Sequence, residues 1–364
     1  MTQTINREAH LPTPRADQAL WDGTMQAGFK AYPERLANWT RYKESKRTDR
    51  LDYLPVRMDI ENVSRCNYHC TMCQVSDWPK YTRAADMELA DFTRLLDEQI
   101  GLVEVKLQGM GEPLLAADTF FAMVREARRR HLWVRSTTNG SLLHLKDNYK
   151  HLIDSDICEI QVSVDGASAE SYETIRRGGK FDRLKENATL LNGYARDVGR
   201  HRTRMWVVVQ KTNFAELEAF PALAAELGFA RLSLSLDLND WGQDRWRQVN
   251  DQVDMQRKFD AERARALVED GKRRGVEVTF WYIDDKYDRR DPAKLCPWPF
   301  ERLYIASDMR TVPCCMISNP DVFELGDARE LTRVWHSDAM VQFRQAHLSG
   351  NIPDVCRFCY KTGG

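Results

Sequence analysis

Short apolar runs alternate with amphipathic stretches through the middle of the chain. The apolar runs occupy residues 54–62, 102–108, 132–138, 157–165, 205–210 and 232–238. Between them, residues 90–100, 117–130, 181–198 and 215–227 have the spacing of amphipathic helices. Strands and helices that alternate in this way predict a parallel sheet with helical crossovers. Six such units predict an α/β fold, a partial (β/α)6 barrel of the TIM type.

The segments that flank the barrel follow other patterns. Residues 1–50 are polar, with aromatic side chains at roughly helical intervals, and predict a helical cap. Residues 245–274 predict one long charged helix, and residues 276–282 predict a strand. Residues 301–314 predict a β-hairpin and residues 331–348 a helix. We therefore divide the chain into a cap (1–50), a barrel (51–240), a connecting helix and strand (241–290) and a small C-terminal α+β domain (291–364).

The composition of the chain limits the kinds of binding partner that are expected. The chain has 53 basic and 54 acidic residues, so neither a nucleic-acid footprint nor a basic membrane patch is expected. No apolar run approaches the roughly 20 residues that a spanning helix needs, and the N-terminus lacks an apolar signal core. We expect a cytoplasmic protein. In that compartment its nine cysteines are expected to be metal ligands rather than disulfides.

Three cysteines follow the first predicted strand directly. Cys66, Cys70 and Cys73 have the spacing C-x3-C-x2-C, which lets three thiolates from one loop converge on one metal centre. A four-iron cluster takes four thiolates, and a structural zinc ion takes four ligands. The loop therefore predicts a metal centre with one open position. Its place after a strand suits an active site, because ligands bind at the carboxyl ends of parallel strands.

Further polar and glycine residues follow the next strands. Each group alone is ordinary turn chemistry, but their repeated occurrence at strand ends favours a ligand pocket. The candidates are Gly109, Gly111, Glu112, Thr138, Asn139, Ser163 and Arg176.

Five cysteines near the C-terminus, Cys296, Cys314, Cys315, Cys356 and Cys359, form a second candidate metal site. Four cysteines from separate predicted elements can complete a closed, four-thiolate site. A structural zinc ion and an iron–sulfur cluster both fit this ligand set.

The first cysteine loop, with Asn67 after its first cysteine, resembles the cluster loop of the radical S-adenosylmethionine (radical SAM) superfamily. The resemblance implies a [4Fe-4S] cluster whose open iron is chelated by the amino and carboxylate groups of S-adenosylmethionine. It also implies that Gly109, Gly111 and Glu112 lie at the methionine amino group, that Thr138 and Asn139 face the ribose, and that Ser163 and Arg176 approach the ribose and the carboxylate. Met72 and Met110 depart from the usual residues of these motifs.

The C-terminal segment resembles the twitch form of the SPASM domain in its Cys-Pro-Trp-Pro-Phe opening, Pro-Cys-Cys turn and terminal C-x2-C. Met309 replaces a glycine that is usual in the hairpin. This resemblance implies a second, auxiliary [4Fe-4S] cluster, fully ligated by Cys296, Cys314, Cys356 and Cys359. Such a cluster has no iron open to substrate, so its implied role is electron transfer.

Together the resemblances imply an oxidoreductase. A 5′-deoxyadenosyl radical would abstract hydrogen from a small hydroxylated substrate (a sugar, aminocyclitol or nucleoside-like molecule), the auxiliary cluster would accept an electron, and a flavodoxin or ferredoxin would supply the reducing electron. Cys315 and Asp285 are the candidate catalytic residues. Candidate pocket residues are Asp237, Asn239, Trp241, Trp281 and Tyr282.

Three alternatives remain open at this point. An epimerase would use a thiol such as Cys315 as its hydrogen donor. A peptide-modifying enzyme would act on a ribosomal precursor, although the N-terminal segment is short for a peptide-recognition module. A zinc-stabilised binding module would carry no catalytic cluster.

Overall fold

The structure is a computed structural model that describes residues 11–281 and 287–360. Within these residues the strands are β1 (Arg57–Ile60), β2 (Glu104–Leu107), β3 (Trp133–Thr138), β4 (Glu159–Ser163), β5 (Thr203–Val208), β6 (Arg231–Ser235), β7 (Glu277–Trp281), β8 (Arg302–Ile305), β9 (Arg310–Val312) and β10 (Gly326–Asp327). The helices are α1 (Gln18–Ala31), α2 (Pro33–Glu44), α3 (Leu89–Glu98), α4 (Ala117–Arg129), α5 (Asn148–Asp154), α6 (Ala169–Ile175), α7 (Phe181–Asp197), α8 (Phe220–Glu226), α9 (Asp244–Asp251), α10 (Ala261–Arg273), α11 (Trp298–Glu301), α12 (Leu331–Trp335) and α13 (Asp338–Leu348).

The described strands form one sheet in the order β10-β9-β8-β1-β2-β3-β4-β5-β6-β7. Strands β1 to β7 are parallel and lie in chain order, which confirms the predicted partial barrel. Strand β7, which we had placed in the connecting segment, pairs with β6 in the register Ser233↔Thr279. The barrel sheet is therefore one strand longer than the sequence pattern indicated.

The C-terminal segment extends the opposite edge of the sheet. Strand β8 runs parallel to β1, with Met58 opposite Leu303. Strand β9 returns antiparallel to β8, which confirms the predicted hairpin, and β10 pairs with β9. The segment is thus hydrogen-bonded to the first barrel strand, the same strand that leads into the first cysteine loop.

Alternate residues of the strands meet two different environments. Apolar side chains such as those of Ile60 and Leu107 are fully buried in the main apolar core. Their sequence neighbours Asp59 and Lys106 line a cavity inside the barrel instead. This alternation follows from the two-residue period of a strand, so charged side chains face the interior of the barrel.

The N-terminal segment packs against the barrel strands. The ring of Trp21 in α1 lies 5.2 Å from that of Trp133 in β3. The segment before α1 is tied to the later strands, because the guanidinium of Arg204 donates to the Arg15 carbonyl (2.8 Å) and the Phe280 amide donates to the Pro12 carbonyl (2.8 Å).

Two predictions of a long helix were wrong, because a capping side chain starts a new helix inside each predicted range. The helix predicted over residues 245–274 is broken into α9, the 3₁₀ turn Gln256–Lys258 and α10. Asp260 caps α10 by accepting from the Arg263 amide (2.7 Å). The helix predicted over residues 331–348 is likewise split into α12 and α13, where Ser337 caps α13 by accepting from the Met340 amide (3.2 Å). No helix in the described ranges is long and apolar enough to cross a bilayer.

Candidate active site

A cavity of about 850 Å³ lies inside the barrel, and both cysteine sets line it. All of the predicted cofactor-binding residues also line it, namely Gly109, Gly111, Glu112, Thr138, Asn139, Ser163 and Arg176. Residues that are up to about 290 positions apart in the chain, from Cys66 to Cys356, therefore face one space.

The first cysteine loop is held against the turn that contains Arg176. The amides of His69 and Thr71 donate to the carbonyls of Arg177 (3.0 Å) and Ile175 (3.1 Å). Burial raises the pKa of the thiols in this loop, for Cys73 to about 12. The thiols are therefore protonated near neutral pH until a metal takes the place of their protons.

Glu112 is a buried carboxylate at the edge of this loop. Its oxygens accept from the Thr138 hydroxyl (2.7 Å), the Asn139 amide (2.7 Å) and the Leu114 amide (3.2 Å). Burial raises the pKa of Glu112, although these donors and the charge of Arg176 oppose the rise. A carboxylate desolvated in this way is a suitable partner for a ligand cation.

The two glycines before Glu112 are required by close packing. A Cβ atom at Gly109 would lie 2.1 Å from Cγ of Glu61, and one at Gly111 would lie 2.4 Å from the Val63 carbonyl oxygen. Both contacts are with the strand and loop that carry the first cysteines. The glycines therefore allow that loop to approach the end of β2, whether or not they also touch the cofactor.

Asn139 connects this wall to the cysteine loop. Its side-chain amide donates to Oδ1 of Asn67 (2.9 Å), the residue that follows Cys66. The predicted ribose-facing residues Thr138 and Asn139 thus also position Glu112 and the cluster loop. The sequence suggested Asn67 only through a family resemblance and gave no sign of this contact.

Arg176 is paired with an acid that we did not select from the sequence. Its Nε lies 2.6 Å from Oδ2 of Asp165, which is fully buried, and its Nη1 lies 3.9 Å from Sγ of Cys70. Asp165 also accepts from the Val208 amide (2.7 Å). Its place directly after a strand was the available signal. The pair fixes a cation beside the cysteine loop.

We expect Arg176→Ala to lower the free energy of unfolding by about 3–5 kcal/mol, because it leaves the buried Asp165 carboxylate without its cation. Denaturant unfolding followed by circular dichroism measures the change. The neighbouring Arg177→Ala removes an exposed side chain and should shift the value by less than about 0.5 kcal/mol. Equal losses in both variants would show that the Asp165 pair is not the cause.

The second cysteine set is supported by aromatic residues around the end of the chain. The hydroxyl of Tyr360 accepts from the Cys296 amide (3.1 Å) and lies 2.7 Å from Nδ1 of His347. The Tyr287 amide donates to the carbonyl of Cys359 (2.9 Å). Burial raises the pKa of all four thiols, for Cys296 to about 12. Sequence reasoning missed these supporting residues.

Gln74 bridges the two cysteine loops. It follows Cys73 and is buried, and its Nε2 donates to the Ile317 carbonyl (3.1 Å) in the loop after Cys314. Its Oε1 accepts from Nε2 of Gln243 (3.1 Å). A direct hydrogen bond therefore joins the two metal loops.

The remaining candidates fall into two groups. Cys315 lines the cavity, and burial raises the pKa of its thiol to about 11. Asp237, Asn239, Trp241 and Trp281 also line the cavity, as proposed for substrate contacts. Asp285 and Tyr282 lie outside the described residues.

The two cysteine sets differ from a preformed site for a single metal ion. Among the described residues, no three His, Cys, Asp or Glu side chains are grouped closely around the position of a single ion. The thiols of each set instead line one space, and their chemistry, three and four thiolates, is that of iron–sulfur ligation. The first set leaves one position for another ligand, and Glu112 supplies the anionic wall beside it.

Comparisons with known proteins agree with this arrangement. Residues 62–224 match the family model described as the Radical SAM superfamily, and residues 296–360 match SPASM, an iron–sulfur cluster-binding domain. The second match decides between zinc and an iron–sulfur cluster in favour of the latter.

Individual proteins that resemble the chain, one by sequence and two by fold, have low sequence identity to it. The mycofactocin maturase MftC of Mycolicibacterium smegmatis is 29% identical over 212 residues, 56% of this chain and 50% of that protein, so the chain spans about half the length of this relative. Streptococcus suis SuiB bound to its precursor peptide SuiA has a TM-score of 0.61 at 16% identity, covering 85% of this chain and 69% of that one. BtrN in complex with AdoMet and 2-DOIA has a TM-score of 0.50 at 15% identity, covering 84% and 93%.

The structural likenesses establish the fold, and the two domain matches coincide with the two cysteine sets. The chain is therefore a radical SAM superfamily enzyme with a C-terminal SPASM-type domain, and its cofactors are S-adenosylmethionine, a [4Fe-4S] cluster and an auxiliary iron–sulfur cluster.

Proposed function

We propose that the protein oxidises a small hydroxylated molecule by two electrons, with the auxiliary cluster as electron acceptor. The observation that carries this proposal is the single cavity whose walls include both cysteine sets and, between them, inward-facing polar side chains. A sugar, an aminocyclitol or a nucleoside-like molecule matches such a surface of hydrogen-bonding groups and aromatic rings.

The two cysteine sets and the residues around them would have different roles in this reaction. Cys66, Cys70 and Cys73 hold the cluster that binds S-adenosylmethionine, and Glu112 accepts from the methionine ammonium group. When bound, these cofactors supply a 5′-deoxyadenosyl radical that removes hydrogen from a substrate carbon.

On the auxiliary side, Cys296, Cys314, Cys356 and Cys359 hold the electron-accepting cluster. The Gln74 bridge joins the two loops, and both cysteine sets line the cavity in which the substrate would bind. An alcohol that loses a hydrogen atom, an electron and a proton becomes a ketone. Asp285 remains our candidate for the base that takes the proton, and a flavodoxin or ferredoxin for the reductant.

A second candidate is modification of a ribosomal peptide. The relative MftC is a maturase, and the structure of SuiB contains its precursor peptide. An epimerase is a third, because Cys315 faces the cavity and could return a hydrogen atom to the substrate.

Anaerobic turnover in deuterated water separates these reactions. We expect a product two mass units lighter than its substrate, with no carbon-bound deuterium, in incubations with candidate sugars, aminocyclitols and nucleosides. An epimerase would give a product one mass unit heavier than its substrate, because one deuterium replaces one carbon-bound hydrogen, and Cys315→Ala would abolish this product. Conversion of a precursor peptide, with no conversion of the small molecules, would replace our proposal with the peptide reaction. Mass spectrometry reads all three outcomes.

A further inference from the structure

The inner wall of the barrel carries a row of charged side chains. The arginines of this wall are neutralised by carboxylates. Arg57 and Arg135 both contact Glu104, at 3.1 Å and 2.6 Å, and Arg302 contacts Glu301 at 2.5 Å. Burial opposes ionisation of Glu104, but Arg135 and Arg57 lower its pKa to about 2, so it remains a carboxylate at neutral pH.

Lys106 differs from these arginines. It lies on β2 between Asp59 of β1 and Arg135 of β3 in the strand register, and it lines the cavity. Its ammonium group makes no hydrogen bond or ion pair with any described residue, although it is half-buried. Neighbouring Asp59 is almost fully buried. Its Oδ1 lies 3.9 Å from Nη1 of Arg302, and its Oδ2 has no hydrogen-bond partner within the described part of the chain.

An unpaired ammonium in a cavity has an electrostatic consequence. Low-dielectric walls weaken its solvation and concentrate its field in the space it faces. Since Glu104 and Glu301 are already engaged with arginines, Lys106 is the strand cation of this wall that is left to attract an anion. Arg15 also lines the cavity, but it is exposed and lies in the segment before α1. Three free N–H donors suit a carboxylate or a phosphate oxygen.

Two tryptophan rings, tilted by 51° to each other, form an apolar part of the cavity wall. Trp206 and Trp281 line the cavity with ring centroids 6.4 Å apart, and Trp281 is 51% exposed despite its size. Such rings provide contact area for a carbon skeleton or a ring. The cavity therefore presents a cation to one part of a ligand and aromatic faces to another.

We propose that Lys106 anchors an anionic oxygen group of the substrate, a carboxylate or a phosphate ester, inside the cavity. Asp59 accepts a hydrogen bond from a neighbouring donor of the same molecule. This inference rests on the proposed function, because it assumes that the substrate occupies this cavity. It assigns an acidic substrate class to that site.

The test is a binding measurement that needs no turnover, so it can fail independently of the proposed oxidation. Glycerol 3-phosphate, glycerate and glycerol share one polyol skeleton and differ in charge. Isothermal titration calorimetry is performed anaerobically on the cluster-loaded protein with S-adenosylmethionine. We expect at least one charged probe to bind at least about tenfold more tightly than glycerol, and the tighter of the two identifies the oxyanion.

Variants assign the effect to the side chain. Lys106→Met keeps the length of the side chain and should weaken binding of the charged probe at least about tenfold, whereas Lys106→Arg should retain most of it. The exposed Lys272 provides a matched control, and Lys272→Met should bind like the unmodified protein. Iron content and circular dichroism confirm that each variant is folded and loaded.

Either of two results would overturn the assignment. In one, the unmodified protein binds neither charged probe more tightly than glycerol at millimolar concentration. In the other, Lys106→Met binds the charged probe as tightly as the Lys272→Met control does.

Discussion

Replacing Cys73 with alanine is expected to remove about four of the roughly eight iron atoms that two four-iron clusters require. Formation of 5′-deoxyadenosine from S-adenosylmethionine should fall to background, because the first loop then offers two thiolates. Replacing Cys356 should also remove about four irons, yet leave 5′-deoxyadenosine formation measurable. Iron analysis and chromatography of the cleavage product check both results under anaerobic conditions.

Cys158 provides the matched control. It is buried next to β4 and belongs to neither cysteine set, so Cys158→Ala should keep the full iron content. Loss of 5′-deoxyadenosine formation in Cys356→Ala would contradict the division of labour between the two sets. Equal iron loss in Cys158→Ala would show that substitution of a buried thiol, rather than of a ligand, lowers the iron content.

Glu112→Gln is expected to weaken binding of S-adenosylmethionine at least about thirtyfold, roughly 2 kcal/mol. The carbonyl oxygen of glutamine can still accept from the Thr138 hydroxyl and the Leu114 amide, which both donate to Oε1, whereas its NH2 group replaces the oxygen that accepts from the Asn139 amide. Circular dichroism therefore checks that the variant is folded. The expected loss comes from the missing counter-charge to the methionine ammonium group. Equilibrium dialysis with labelled S-adenosylmethionine measures it.

Glu98→Gln removes a carboxylate from an exposed position and should leave the affinity unchanged. If Glu112→Gln binds S-adenosylmethionine as tightly as Glu98→Gln, the carboxylate of Glu112 does not contact the methionine ammonium group. Its buried hydrogen bonds would then have a purely structural purpose.

Local patterns predicted most of the barrel, because strand and helix periodicity are properties of short segments. They failed where a single side chain ended an element. Asp260 and Ser337 each cap a helix inside a stretch whose composition favours continuation. The local patterns also failed to assign β7 to the barrel, because a run of apolar residues does not indicate which strand it will pair with.

The candidate site likewise combines features that the sequence predicted with features that appear only in the folded structure. Spacing indicated the first cysteine set, and a family resemblance selected the four ligands of the second set and supplied the roles expected of Glu112 and Arg176. The contact between Asn67 and Asn139 joins residues 72 positions apart and left no local signal. Asp165 and Arg176 are 11 positions apart, and the sequence indicated Asp165 only by its place directly after a strand. Gly109 and Gly111 were selected as cofactor contacts, and the structure adds a packing reason for both.

The sequence by itself determined the thiolate sets and the alternation of strands and helices, because metal ligation by a loop and hydrogen bonding within a helix depend on neighbours in the chain. Only the tertiary structure decided that β8 pairs with β1, which brings Cys314 and Cys356 to the cavity that Cys66 lines. It alone also left Lys106 unpaired among neutralised arginines. Strand pairing and charge neutralisation depend on residues that approach one another only after folding, so they cannot be read from segments one at a time.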